Sequence, residues 1–530
     1  MADHQESVDV QFPPGTVRLE RILDRTKGEI ILHPRPTADP NDPLNWSKWY
    51  KAWNFSLVCF YTLMVFVNLD IGTVVWGDTQ EDLGYTLSQN TWGFGLNTLG
   101  LAFGCILFIP FALKYGRRPV YILSAAADLA TAIWQAKMQT VGDLYGSNLI
   151  SGLAGAISET ICQMTIADMF FVHQRGTANG VFIVMVNIGA FLIFWWTTIF
   201  FAILLVVFIF FYEDTKYIPA AHGTIAISED EDARVVVGAE SNIDGKVDSK
   251  GEDIRQTESA LSQQHTHGSS IPRKTYWQRL KFTTTSPGGF APFLKHMYLP
   301  FVIVLTFPAF TYAAIIYGSL LAWFSVVVSV YSGYFILPPY NFSAVGVGLM
   351  NLPPFIGSVI GSVYGGLLSD WLIVRLSRRN NGIYEPEMRL WLALPAVFIL
   401  PGSLLFFGLP TAEGLPWIIP AVGAGFFGFG FSALADIALT YAMDCYQEII
   451  GDGFVAVCFV RNACATIVAF LLTNWIDGVG LAALFWTCAA LCLALGCLTF
   501  PLMIYGKRLR IWTAPRLKVM ASRQFGHRES

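Results

Sequence analysis

The chain has 530 residues, of which 54% are hydrophobic and only 14% charged, against roughly 25% charged in an ordinary soluble domain. An uncharged run such as Met297–Ser369 far exceeds the roughly 20 residues that cross a bilayer core, which excludes a soluble globular protein. The net charge of -4 gives no basis for a nucleic-acid partner, because the cations sit in short gaps between apolar runs. Residues 1–52 read as a polar tail. Apolar helices follow at about 53–76, 91–113, 118–138 and 145–171, then comes a long run at 177–212. A polar segment, 213–296, is acidic around Glu229–Asp232 and Asp244–Glu258 and basic near Arg273–Lys281. Its Ser, Gly, Gln and charged content buries too little apolar area to fold alone. Six further spans read at about 299–329, 344–374, 390–409, 416–442, 452–475 and 480–504, before a basic tail at 506–530.

Charge fixes an orientation for these spans. The gaps at Gly77–Thr91, Tyr331–Ser343, Pro410–Pro416 and Trp475–Gly480 hold no Lys or Arg. Alternate gaps hold Lys114, Arg117 and Arg118, then Arg175, then Arg375, Arg378 and Arg379, and both tails are basic beside the apolar runs. Cationic loops stay on the cytoplasmic side during insertion, so both termini are expected inside. Two sets of spans around one polar linker predict an all-α polytopic protein of two bundles, 53–212 and 297–505, with a substrate site between them.

Gly176–Tyr212 breaks the regularity. Its 37 uncharged residues would make one helix of roughly 55 Å, far beyond about 30 Å of hydrocarbon. Arg175 and the linker belong on the same side, so an even number of crossings must separate them. The stretch is therefore expected to be a hairpin of two shortened helices, or a chain lacking sequence near Leu192–Ile193.

Several motifs resemble those of fungal major facilitator transporters of the twelve-span drug:proton antiporter-like branch. They are Leu32–Lys51, Gly116-Arg117-Arg118-Pro119, Gly152–Glu159 and Asp168–Gly176, then Pro339–Phe342, Gly365–Trp371, Glu385–Leu390, Asp444-Cys445-Tyr446 and Tyr505–Arg508. The resemblance covers about residues 32–510 and implies a fold of six plus six helices, here with the fifth and sixth shortened or merged. The sequence departs from that pattern in three places. Leu113 and Lys114 stand where the family puts an acid and an Arg, and Asn148 stands where an Arg often opens the fourth-helix motif. The fifth helix runs from Leu192 straight into Ile193-Phe194-Trp195-Trp196, as if about twenty residues with the Gly-Pro antiporter motif were absent.

An ionisable residue inside a membrane is costly and marks function by default. Glu159 is the first candidate for carrying a proton or meeting a cationic substrate. Asp128 and Asp70 are the next, with helix-to-helix bonding and helix capping as their structural alternatives. Asp436 and Arg461 lie on successive antiparallel spans at a common depth, so a mutual ion pair is expected, as a gate or as a fixed staple. The resemblance implies that Gly116, Arg117 and Arg118 lock an inner gate against acids on a neighbouring helix end, the alternative being charge that only sets topology. Asp370 fills the corresponding acidic place in the second half. Trp46, Trp49, Trp53, Trp323 and Trp391 suit interfacial anchoring better than a cation cage.

No phosphate loop, H-E-x-x-H or G-x-S-x-G motif is present, so neither ATP nor an enzyme site is expected. The nine cysteines show no metal or disulfide spacing, and no cofactor is expected. The expected function is secondary transport: two bundles rock to exchange a small organic solute or drug for protons. A nutrient or organic-cation symporter or uniporter, or a non-transporting truncated product, are the alternatives. A monomer in the plasma membrane, rather than the vacuole, is the expected form.

Overall fold

The computed structural model describes residues 13–18, 39, 41–74, 76–170, 172–191, 197–216, 275–281, 283, 290–380, 382–446 and 449–521. The expected linker lies mostly outside the described residues, as do the Leu192–Ile193 junction and the last residues of the tail. In the first half the helices are α1 (Lys48–Val74), α2 (Trp76–Leu83), α3 (Leu87–Tyr115), α4 (Arg117–Gln135), α5 (Val141–Met169), α6 (Val172–Phe191) and α7 (Thr197–Phe211). The second half has α8 (Phe290–Thr306), α9 (Pro308–Tyr334), α10 (Ala344–Leu349) and α11 (Leu352–Val363), then a π-turn (Tyr364–Leu368) leading into α12 (Ser369–Arg379). It ends with α13 (Leu390–Ala412), α14 (Ile418–Cys445), α15 (Ile450–Val479), α16 (Leu481–Gly496) and α17 (Thr499–Ala521). Among the described residues, nine helices are long and apolar enough to cross a membrane; α6, α7 and α8 contribute shorter apolar stretches.

Local chemistry sets the helix ends. Thr86 and Gln89 form a reciprocal capping box at the start of α3, and Thr140 and Asp143 do the same for α5, each pair satisfying otherwise orphaned backbone donors. Gly116 ends α3 at φ 103°, a conformation open to glycine and hostile to a side chain. Pro308 opens α9 directly after Phe307, so the span expected at 299–329 is two helices: the ring has no N–H for a continuous ladder. The last span runs on as helix to Ala521, well past the tail boundary expected at 506.

Within the run at 177–212, α6 is described to Phe191 and α7 from Thr197, and residues 192–196 between them lie outside the described residues.

Each half repeats one close helix pair. Where α3 crosses α5, a Cβ on Gly152 would come within 1.9 Å of the Asn97 carbonyl; where α11 crosses α14, one on Gly357 would come within 1.8 Å of the Gly425 carbonyl. Small residues let backbones approach this closely in a membrane. Two hydrophobic cores result, one built from α1, α3–α7 and the other from α8–α17, and Val455 and Cys458 of α15 join the first. The seam between halves runs mainly along α3 and α15, with α6 against α11 and the π-turn.

The N-terminal signature is a local knot of side-chain bonds. Asp39 Oδ1 accepts from the Asn41 backbone and side chain, both at 2.8 Å, and Asn45 Nδ2 returns to the Asp39 carbonyl at 2.8 Å. Asp42 caps the one-turn helix Pro43–Asn45, whose Leu44 carbonyl accepts from Lys51 Nζ at 3.0 Å. That turn packs on α5. Upstream, β1 (Val17–Arg18) pairs antiparallel with β2 (Ile383–Tyr384), placing Val17 opposite Tyr384. The chain thus touches the second half before it builds the first.

Candidate functional site

A small cavity lies at the seam. Phe66, Phe94, Phe324 and Phe431 give it aromatic walls, and Asp70, Asn97, Thr98, Glu159, Tyr317 and Arg461 supply its polar groups. These residues come from α1, α3 and α5 of one half and α9, α14 and α15 of the other, so neither half makes the site alone.

Its centre is a bond between the halves. Arg461 of α15 donates through Nη2 to Glu159 Oε1 of α5. Asn462 Nδ2 donates to the other carboxylate oxygen at 2.7 Å, and Arg461 Nη1 donates to the Tyr317 hydroxyl at 2.8 Å. The guanidinium also sits 4.7 Å from the Tyr317 ring centre. The two charged side chains are 1% and 5% exposed, so each is the other's substitute for water. Further along α15 on one side of this bond, Thr98 meets Thr466 at 3.0 Å and Thr91 meets Thr473 at 3.3 Å, again across the seam.

The expected Asp436–Arg461 pair does not form. Equal depth on neighbouring helices fixes height and leaves azimuth free: Arg461 points across the seam to Glu159, whereas Asp436 points toward Gly365 of the π-turn. Asp70 lines the cavity as expected of a substrate or proton candidate. Asp128 does not. It is buried inside the first half, where Ser124 Oγ donates to its Oδ2 at 3.3 Å. Trp49, Trp53 and Trp391 are exposed, as interfacial anchors should be, but Trp323 is buried within α9.

Two charge clusters occupy the end that carries the basic turns. In the first half Arg117 Nη2 pairs with Asp168 Oδ2 at 3.1 Å, and the Arg117 backbone N–H donates to Asp214 at 3.0 Å. Arg118 donates to the carbonyls of Ile209, at 2.6 Å, and Leu280. Lys216 Nζ donates to the Lys114 carbonyl at 2.8 Å; burial, and secondarily Arg117, lower its pKa to about 8. The acid missing beside Gly116 is thus replaced from α5 and from the segment after α7. A Cβ on Gly116 would strike the Asp214 carboxylate. The side chains of His173 and Arg175 lie outside the described residues.

In the second half Arg389 joins Asp370, at 3.1 Å, to Asp444, at 2.5 Å, and donates to the Tyr384 hydroxyl at 3.1 Å. Arg510 clasps Glu387 through two bonds of 2.9 and 2.7 Å, a bidentate geometry, and donates to Thr16 and the Pro14 carbonyl. Asp168, Glu387, Arg389 and Asp444 all lie inside the motifs quoted above, yet nothing in one sequence assigns their partners. Tyr317 and Asn462 carry no such signal; neutral polar residues are common in apolar helices.

Nine spanning-length helices among the described residues, packed in two bundles with a polar and aromatic cavity between them, define a multi-pass membrane transporter rather than an enzyme. The chain belongs to the Major Facilitator Superfamily, whose family profile matches residues 55–461. Its relatives are fungal. An uncharacterized MFS-type transporter of Schizosaccharomyces pombe is 29% identical, covering 95% of this chain and 94% of that protein. Protein HOL1 of Saccharomyces cerevisiae is 28% identical over 93% of this chain and 92% of its own length. The MFS antiporter QDR3 of Candida albicans is 23% identical, covering 77% and 71%. Among solved structures, the proton:xylose symporter XylE shares the fold at a TM-score of 0.54 and 11% identity, covering 86% of this chain and 97% of that one. A peptide transporter, POT, matches at 0.56 and 14%, covering 88% and 96%. Members of this superfamily carry small solutes across a membrane.

Proposed function

We propose that this chain exports a small organic solute in exchange for protons, binding it in the cavity between the halves while both termini and the two charge clusters face the cytoplasm. The observation that carries this reading is the Glu159–Arg461 bond, which closes the seam at the cavity wall. A carboxylate that loses its charge on protonation releases its arginine, and a buried arginine without a partner is strongly disfavoured. Proton arrival at Glu159 therefore loosens the seam, and solute binding against the same groups competes for Arg461. Aromatic walls accept the apolar body of the solute, and Asp70 offers a carboxyl to a polar or cationic part. QDR3 is named an antiporter, which favours exchange over symport. The plasma membrane and a monomeric state complete the proposal.

A growth screen of a deletion strain against a panel of drugs and polyamines tests it, with Glu159→Gln as control. Sensitivity rescued by the wild-type chain and lost in Glu159→Gln is the expected result. Equal rescue by both would overturn the role of the bond.

The uncharged run Gly176–Tyr212, too long for one span and short for two, favours a second reading, in which the chain lacks about twenty residues at Leu192–Ile193 and does not transport. Reading the transcript across that junction separates the two. Proton-dependent efflux from vesicles containing only the 530-residue form would sink the second.

A further inference from the structure

One buried carboxyl is left over. Asp436 is 1% exposed, and neither of its carboxyl oxygens has a hydrogen-bond partner among the described residues. It stands on α14 five residues beyond Phe431 of the cavity wall, toward the end where Asp444 meets Arg389. Facing it is the π-turn. An ideal Cβ on Gly365 would lie 3.0 Å from both Asp436 Cβ and Oδ2, and one on Gly366 would lie 3.4 Å from Oδ2. The carboxyl therefore rests against the bare backbone of two glycines, in space that any side chain at position 365 would take. A single π-turn inside an α-helix is rare and concentrates at functional positions. This one packs on its outer side against α6 of the first half.

The surrounding ionisable groups are already engaged elsewhere. Arg389, at the entry to α13, is held by Asp370 of α12 and by Asp444. On α9, Tyr317 accepts from Arg461 and Tyr312 bonds Thr499. Tyr364 in the π-turn donates to the Leu392 carbonyl at 3.1 Å, and Glu387 before α13 is clasped by Arg510. The described side chains of α6 include no ionisable group. A carboxylate in such surroundings would have neither water nor a donor, and the cation nearest in effect, Arg389, is already shared by two other acids.

We propose that Asp436 is a second proton-carrying group of the transport cycle, protonated while α6 is seated on the π-turn and releasing its proton to water when that seat opens. The Asp436 O–H bond breaks heterolytically as a new O–H bond forms on the accepting water, leaving the carboxylate facing the opened end. Its place in the cycle rests on the proton-exchange reading above, whereas its protonated state does not. Asn179 of α6, whose Nδ2 lies 3.3 Å from Met443 Sδ of α14, marks how closely the two halves meet beside this group.

Infrared spectra of the purified full chain in lipid nanodiscs test the protonated state without any substrate. A protonated-carboxyl stretch at neutral pH that loses intensity in Asp436→Asn, but not in Glu159→Gln, is expected. Identical spectra for wild type and Asp436→Asn would overturn the proposal, whatever the chain transports. Asn closely matches the shape of a neutral Asp, so the variant should fold, and vesicle assays then read the cycle. Asp436→Asn should lose most of the pH dependence of transport and Asp436→Glu should keep it. An unchanged pH profile in Asp436→Asn would overturn the role in the cycle. Wild-type transport without any proton dependence would instead defeat the exchange reading and leave the infrared result standing.

Discussion

The two basic-end clusters solve the same problem with different resources. In the second half, Arg389 is wedged between two acids and a tyrosine, and Arg510 is 1% exposed around a bidentate carboxylate. In the first half, the Arg117 side chain pairs with Asp168, which is 27% exposed; Asp214 serves its backbone, and Arg118 donates to the carbonyls of Ile209 and Leu280. Leu113 stands at the place where the second half has the acid Asp370. The first cluster borrows its acids from α5 and from the chain beyond α7. Separating the first cluster breaks one ion pair to a partly exposed acid, whereas separating the second strips several buried partners from their arginines at once.

The largest effect should come from breaking the stiffer cluster. Arg389→Met leaves Asp370 and Asp444 facing each other, and should cost about 3–5 kcal/mol of stability, as for other one-sided losses of a buried pair. Thermal unfolding in detergent checks this, and a shift no larger than that of Arg117→Met would abolish the contrast. Arg117→Met itself should cost only about 1 kcal/mol, because its partner is partly solvated. It should instead raise labelling of the basic end by a membrane-impermeant thiol reagent at a cysteine introduced beside Asp168. Smallest is the effect at Lys216. Its pKa near 8 leaves much of the amine neutral at that pH, where ordinary lysines stay charged. Acylation at Lys216 should therefore half-saturate near pH 8, and a rate that climbs only toward pH 10 would contradict it. The sign for stability follows from the lowered value: burying the ammonium is a cost present below about pH 8, which fades as pH rises toward the ordinary lysine range.

Architecture was largely legible from the chain. Charge alternation and run length give spans, parity and a two-half plan, because insertion acts on exactly those two properties of a sequence. Parity also required an even number of crossings between Arg175 and the linker, and α6 and α7 supply two helices there. Pairing was less legible. Glu159 and Arg461 were each singled out, but only the packing of α5 on α15 joins them. Height along a helix is readable as a residue count; rotation about the axis depends on which neighbour each face meets. Asp436 failed for that reason. Pro308 was readable as a break in principle, yet an uninterrupted apolar run hid it.

The strand pairing of Val17–Arg18 with Ile383–Tyr384 has a topological consequence. Residues 14–18 sit on the second half, the Asp39–Asn45 knot lies against the first, and the chain returns to the second half after the linker. Gly15 lies so close to Asp444 and Cys445 that a methyl group there would be 2.3 Å from the Asp444 carbonyl, and Arg510 holds the neighbouring Pro14 and Thr16. The molecule is therefore laced twice, and a protease cut anywhere in 217–274 would sever one lace and leave the other tied.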